Sequence, residues 1–171
     1  MRLRSFFIGA LLLIACAPAA LAVESVRVPQ DAMAIDLTRA VEKHASKDDR
    51  LQISTAPGSD GVVRRIEVEA KEPGTRPNWI VFALTNDTDE QIERLLVAPH
   101  YRLQDSGLIW PDLGASRISA VTASQGSPPE REEGADADVF RVTLDPGVTI
   151  TYVAELSTPK LPQLYLWEPD A

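Results

Sequence analysis

From residue 50 onward the chain alternates. Leu51 and Ile53 are spaced by Gln52 and Ser54, and Ile66, Val68 and Ala70 by Glu67 and Glu69. Phe140, Val142 and Leu144 are spaced by Arg141 and Thr143. Val148, Ile150, Tyr152, Ala154 and Leu156 form the cleanest run. A period of two puts the apolar side chains on one face of a strand and the polar ones on the other. Trp79 to Asn86 (WIVFALTN) is apolar at both sets of positions, which predicts a central strand buried on both faces. Ile92 to Tyr101, Ile118 to Thr122 and Leu164 to Trp167 add further strands, with Pro99 at a bulge or a sheet edge. Only Asp36 to His44 departs from this pattern. Leu37, Ala40, Val41 and His44 stand at helical spacing and predict one short N-terminal helix, the alternative being an edge strand over Ala34 to Leu37.

The punctuation between these runs is rich in Pro and Gly. Residues 56–61, 72–77 and 86–89 read as turns, and Asp145-Pro146-Gly147 between two alternating runs reads as a hairpin. Ser127 to Asp138 (SPPEREEGADAD) is the longest polar stretch and is expected to be a mobile loop. About eight strands with almost no helix predict an all-β protein, an antiparallel β-sandwich or jelly roll.

The N-terminus changes where this domain is expected to work. Arg2 and Arg4 precede an apolar run from Phe6 to Ala15, and Ala20-Leu21-Ala22 is a small-x-small cleavage site. The run is about half the length that spans a bilayer. Residues 1–22 are therefore expected to be a signal peptide, and residues 23–171 one exported domain. Leu13-Ile14-Ala15-Cys16 resembles a lipobox, which makes Cys16 the candidate for lipidation and surface tethering. Cleavage after Ala22 removes the chain's one Cys, so the mature domain holds itself by its core, without disulfides. Its 15 basic residues against 25 acidic ones argue against nucleic acid and anionic lipid as partners. The chain stops at Trp167-Glu168-Pro169-Asp170-Ala171, directly after a strand, as a fragment or the edge of a linker would.

Candidate chemistry is sparse. His44 and His100 form no zinc-type pair, and H-E-x-x-H, G-x-S-x-G and phosphate-binding glycine loops are absent from the sequence. The acidic residues Glu130, Glu132, Glu133, Asp136 and Asp138 do not have EF-hand spacing and read as a solvated loop. The expectation is no catalytic residue, no metal and no cofactor. The most suggestive cluster is His100-Tyr101-Arg102 with Trp110, where aromatics beside cations can stack on and hydrogen-bond a polar ligand. The competing reading makes Tyr101 and Trp110 ordinary core, and it assigns Trp79 and Trp167 to packing more firmly. Asn86-Asp87-Thr88 matches a glycosylation sequon, but at a turn it more simply supplies an Asx-type cap.

Trp79-Ile80-Val81-Phe82-Ala83-Leu84-Thr85-Asn86 resembles the W-x-x-F-x-L-x-N strand of the extracellular sensor domains of DISM-type seven-transmembrane bacterial receptors. Residues 64–68, 98–102, 109–113 and 164–169 are similar to the exported regions of such receptors with GGDEF/EAL outputs for cyclic di-GMP. The resemblance implies a carbohydrate-binding-module-like sandwich that senses a small ligand or periplasmic partner and passes the event to the membrane region of the same receptor. It implies no enzyme activity in this chain, which lacks the seven hydrophobic helices and the output domain, and it assigns no ligand-binding residues. The alternative is a stand-alone periplasmic or lipid-anchored binding protein, with carbohydrate the first ligand class to test. A third reading is a purely structural or dimerising domain.

Overall fold

The computed structural model describes residues 22–45, 47–102, 109–122 and 126–170, and the side chains of residues 101, 102, 110 and 114–117 lie outside that description. The described chain contains fourteen strands and no helix. Five of them, β1 (Ser25–Arg27), β3 (Glu42–Ala45), β6 (Asn78–Thr85), β10 (Leu113–Ala120) and β13 (Thr149–Leu156), form the first sheet. Its order is β1-β6-β13-β10, with β3 also on β6. The second sheet has the order β11-β12-β7-β14-β2, from β2 (Ala34–Asp36), β7 (Ile92–Pro99), β11 (Glu130–Glu132), β12 (Ala137–Leu144) and β14 (Tyr165–Trp167). Two small sheets pair β4 (Arg50–Ser54) with β5 (Arg65–Glu69), and β8 (Tyr101–Arg102) with β9 (Ile109–Trp110).

The two large sheets face each other across one core. Ile80, Phe82 and Leu84 of β6 and Ile150, Tyr152 and Ala154 of β13 meet Leu96 of β7 and Phe140, Val142 and Leu144 of β12. Phe82 and Tyr152 are register partners, and their rings stack at 5.3 Å. The interior holds the Tyr152 hydroxyl above its ordinary range, because burial opposes the phenolate. The apolar residues of β6 between these inward positions, Trp79, Val81 and Ala83, point outward. There the β4–β5 hairpin lies over them with Leu51, Ile53, Ile66 and Val68, making a second, smaller core. This explains why Trp79 to Leu84 is apolar throughout: both its faces are covered by the chain itself.

Four expectations need correction. Residues 36–44 are not a helix. Asp36 ends β2, its Oδ1 accepts from the backbone N of Thr38 at 2.9 Å in an Asx turn, and the chain continues into β3. The edge-strand alternative over residues 34–37 is the one that forms, because pairing with β14 and β6 satisfies the backbone that a short isolated helix would leave open. Asp145-Pro146-Gly147 does not make a hairpin, since β12 and β13 belong to different sheets and the turn is an arch between them. A tight turn carries no information about which sheet each arm joins. Finally, residues 127–138 are only partly a loop: β11 pairs with β12, and Asp138 is fully buried. The sandwich is also not wholly antiparallel, because β1 runs parallel to β6.

Candidate functional site

Asn86 closes the motif strand. Its Oδ1 accepts from the backbone N of Thr88 at 3.0 Å, the expected Asx turn, and its Nδ2 donates to Glu90 O at 2.7 Å and Leu144 O at 3.0 Å. With every polar atom used and no exposed surface, it is a structural residue.

His100 is the member of the expected ligand cluster whose side chain the structure describes. Its backbone N donates to Asp136 O, which turns the chain at the end of β7. Its ring is nearly buried, with Nε2 3.4 Å from Asp138 Oδ1, and neither ring nitrogen has a hydrogen-bond partner among the described residues. Asp138 also takes Arg131 Nη2 at 3.1 Å and the backbone N of Leu113 at 2.9 Å. Asp112 lies alongside, accepting from Thr158 Oγ1 at 3.1 Å through Oδ1, while its Oδ2 has no partner among the described residues. Burial pushes the Asp112 carboxyl up to about 6, and the charge of Asp138 adds to this against the Thr158 hydrogen bond and His100. This group of buried His100, Asp112 and Asp138 with the exposed Arg131 of β11 joins the ends of β7, β10 and β12, and no hydroxyl hydrogen-bonds the imidazole among the described residues.

The backbone register places Tyr101 opposite Trp110 and Arg102 opposite Ile109. The side chains of Tyr101, Arg102 and Trp110 lie outside the described residues, as does Cys16. No group of three or more His, Cys, Asp or Glu side chains is placed to hold a metal ion among the described residues, the acidic residues of 130–138 included.

Two further places escaped the sequence reading. Trp167, assigned to packing, is 40 % exposed on the outer face of β14, with its ring 6.3 Å from that of Tyr165. Strand alternation turns Leu166 into the core and leaves both aromatics on the uncovered side. The second place is a cavity of about 240 Å³ where the hairpin meets the first sheet. Trp79, Val153 and Glu155 form its floor and Val68, Glu69 and Lys71 come from the hairpin side. Glu155 is 3 % exposed, and its Oε1 accepts from the backbone N of Lys71 at 2.7 Å. Trp79 Nε1 is buried with no acceptor among the described residues. The only sequence signal for this site was a Glu inside the alternating run of β13, at an outward position that looked like ordinary solvent-facing polarity.

A two-sheet sandwich with a self-covered outer face is the class of the molecule. The family model described as 7TMR-DISM extracellular 2 matches residues 39–168, and the chain belongs to that family. The match spans β3 to β14 and includes Trp79, Asn86, His100 and Glu155. It makes the chain an extracellular domain of the kind carried by DISM-type membrane receptors, and so places it outside the cytoplasm. No curated protein and no solved structure matches the chain.

Proposed function

We propose that this chain is the outward-facing sensory domain of a membrane-bound receptor that controls cyclic di-GMP turnover, exported by a signal peptide over residues 1–22. The observation that carries the reading is family membership along residues 39–168. In this reading the domain binds a small ligand or a periplasmic partner, and the binding energy differs between two receptor states, since a ligand shifts a conformational equilibrium only by its differential affinity. No catalytic role is assigned to the chain itself.

The test is an in-frame deletion of codons 39–168 from the native gene, with cellular cyclic di-GMP as readout. The expected change is at least about fivefold, the lower end of ordinary coupling between sites. An unchanged level overturns the cyclic di-GMP assignment. The second reading, a separately anchored binding protein, is favoured by Cys16 in its lipobox-like setting. Mass spectrometry of the mature protein separates the two: a lipidated Cys16 at the N-terminus supports the anchored form, and a free Val23 removes it.

A further inference from the structure

At one end of the sandwich the two sheets are tied through ionisable groups. Asp138, at the start of β12 in the second sheet, accepts at 2.9 Å from the backbone N of Leu113, the first residue of β10 in the first sheet. Asp112 precedes that donor, and its own backbone carbonyl accepts from Ser157 N just past β13. His100 approaches from the end of β7 and Arg131 from β11, with Nε2 at 3.4 Å and Nη2 at 3.1 Å from Asp138 Oδ1. Asp136 meets His100 through its backbone carbonyl, and Glu132, beside Arg131, is paired with Arg141 instead. Asp112 and Asp138 are both fully buried, and Arg131 is the fixed cation on them among the described residues. Two buried carboxylates against one permanent cation leave the group one positive charge short. The shortfall shows in the hydrogen bonds. Asp112 Oδ2 and both ring nitrogens of His100 are buried without a partner among the described residues. Thr158 Oγ1 has a single hydrogen to divide between Asp112 Oδ1 at 3.1 Å and the Lys160 carbonyl at 2.6 Å. An ionised Asp112 side chain therefore holds only a share of one hydrogen bond.

We propose that His100, Asp112 and Asp138 form a proton-binding site that fastens the two sheets to each other, and that through it the domain senses the acidity of the compartment it faces. The sensing half rests on the receptor reading, whereas proton binding stands on the cluster alone. A proton on Asp112 removes the uncompensated charge and turns a carboxyl oxygen from an orphaned acceptor into a donor. A proton on the imidazole supplies the missing positive charge and gives both ring nitrogens a hydrogen, with Asp138 Oδ1 beside Nε2. The direction follows from burial, which pushes the Asp112 carboxyl up to about 6. The tied arrangement binds this proton more tightly than an arrangement in which Asp112 is open to water and titrates at the ordinary carboxylate value. The tie is therefore firmest below about pH 4, weakens as pH rises through about 6, and changes little above that. Each pH unit across the interval weakens it by up to about tenfold.

Amide exchange at Leu113 in the purified chain reads the tie directly, because this N–H is the donor to Asp138. With intrinsic rates corrected for pH, its protection is expected to fall by at least about tenfold from about pH 4.5 to about pH 6.5. Amides of β4 and β5, in a separate sheet, are expected to change by less than about twofold. Asp112→Asn cannot ionise, and its Leu113 protection is expected to be independent of pH over that range. Carbon-13 NMR follows the proton itself. The Asp112 carboxyl is expected to titrate near pH 6, and further up in Thr158→Val, which removes a hydroxyl and keeps the carboxyl. Constant Leu113 protection in the wild type, an equal pH dependence in Asp112→Asn, or an Asp112 titration at the ordinary carboxylate value overturns the site. Sensing is read in cells carrying the native gene, moved from medium at about pH 7 to medium at about pH 5. Cyclic di-GMP is expected to change by at least about threefold in the wild type and to stay level in Asp112→Asn. No change in the wild type overturns sensing, and the receptor reading stands if deletion of codons 39–168 still alters the level. A deletion without effect removes the receptor reading and sensing with it, and Leu113 exchange then decides the proton site by itself.

Discussion

Asn86 reaches across the sandwich to Leu144: its Nδ2 donates to the Leu144 carbonyl at 3.0 Å and ties the end of β6 in one sheet to the end of β12 in the other. The same amide fixes the 86–90 arch through Thr88 and Glu90. The neighbouring arch is stitched to it by Asn86 N on Val148 O and Gly147 N on Thr88 O. Replacing Asn86 by Ala removes a donor from two carbonyls, those of Leu144 and Glu90, the second of which keeps Thr88 Oγ1 at 3.0 Å. The expected loss is about 2–4 kcal/mol of unfolding free energy, and a smaller loss for Asn86→Ser. Urea melts read it, and a loss under about 0.5 kcal/mol for Asn86→Ala would show that the arches hold without this residue.

Asp112 gives the fold a pH signature. Its carboxyl titrates at about 6 in the folded protein and at the ordinary carboxylate value when unfolded. Between those values the folded state binds more protons than the unfolded one, so this residue's contribution falls as pH rises from about 4 to about 6. Asp112→Asn keeps an acceptor for Thr158 and cannot ionise. The difference in melting temperature, variant minus wild type, is expected to rise over that interval and level off above it. A difference that stays flat from pH 4 to pH 7 counts against a buried, weakly compensated carboxylate.

The tryptophans differ in access. Trp79 is 1 % exposed and Trp167 is 40 % exposed. Acrylamide is expected to quench Trp167 efficiently and to leave Trp79 nearly untouched. Trp167→Phe therefore removes a quenchable component with little change in stability, within about 0.5 kcal/mol as for other surface positions. Trp79→Ala is expected to cost about 3–5 kcal/mol, as large core truncations do. Equal quenching before and after Trp167→Phe would contradict the open face of β14.

Gly134 sits where no side chain fits. A Cβ there would stand 2.6 Å from the Ala137 carbonyl and 3.3 Å from Val139 Cγ2, both on or beside β12. Gly134→Ala is expected to destabilise by about 1–3 kcal/mol and to loosen β11 first, seen as faster amide exchange at Glu130–Glu132. Gly61→Ala, in open space but at a positive φ, is a useful contrast: its cost of about 1 kcal/mol comes from backbone strain alone. Exchange at β11 unchanged in Gly134→Ala would mean the close approach relaxes elsewhere.

Much of the sandwich is legible locally. Alternation identified β4, β5, β12 and β13, and the doubly apolar Trp79 to Asn86 identified the strand that ends up covered on both sides. Asn86 was legible as a cap because an Asx turn is a local event. The helical spacing of Leu37, Ala40 and Val41 misled, because Leu37 and Val41 reach the core from either side of a turn between β2 and β3 and not from one helical face. Of the expected ligand cluster, the structure describes the side chain of His100 alone, and puts it against Asp138, a residue read from its acidic neighbours as solvated.

The sequence by itself determined which positions are apolar on which face, where the chain turns, and the family to which it resembles its relatives, because strand alternation and turn chemistry act over a few residues. Only the tertiary structure decided that β12 and β13 part into different sheets, that Trp167 faces outward, and that Trp79 and Glu155 share a cavity. Sheet partnership depends on contacts between residues far apart in sequence, 64 positions for Thr85 and Thr149 and 78 for Asn78 and Leu156, and no local pattern carries the face on which a distant strand or hairpin comes to rest.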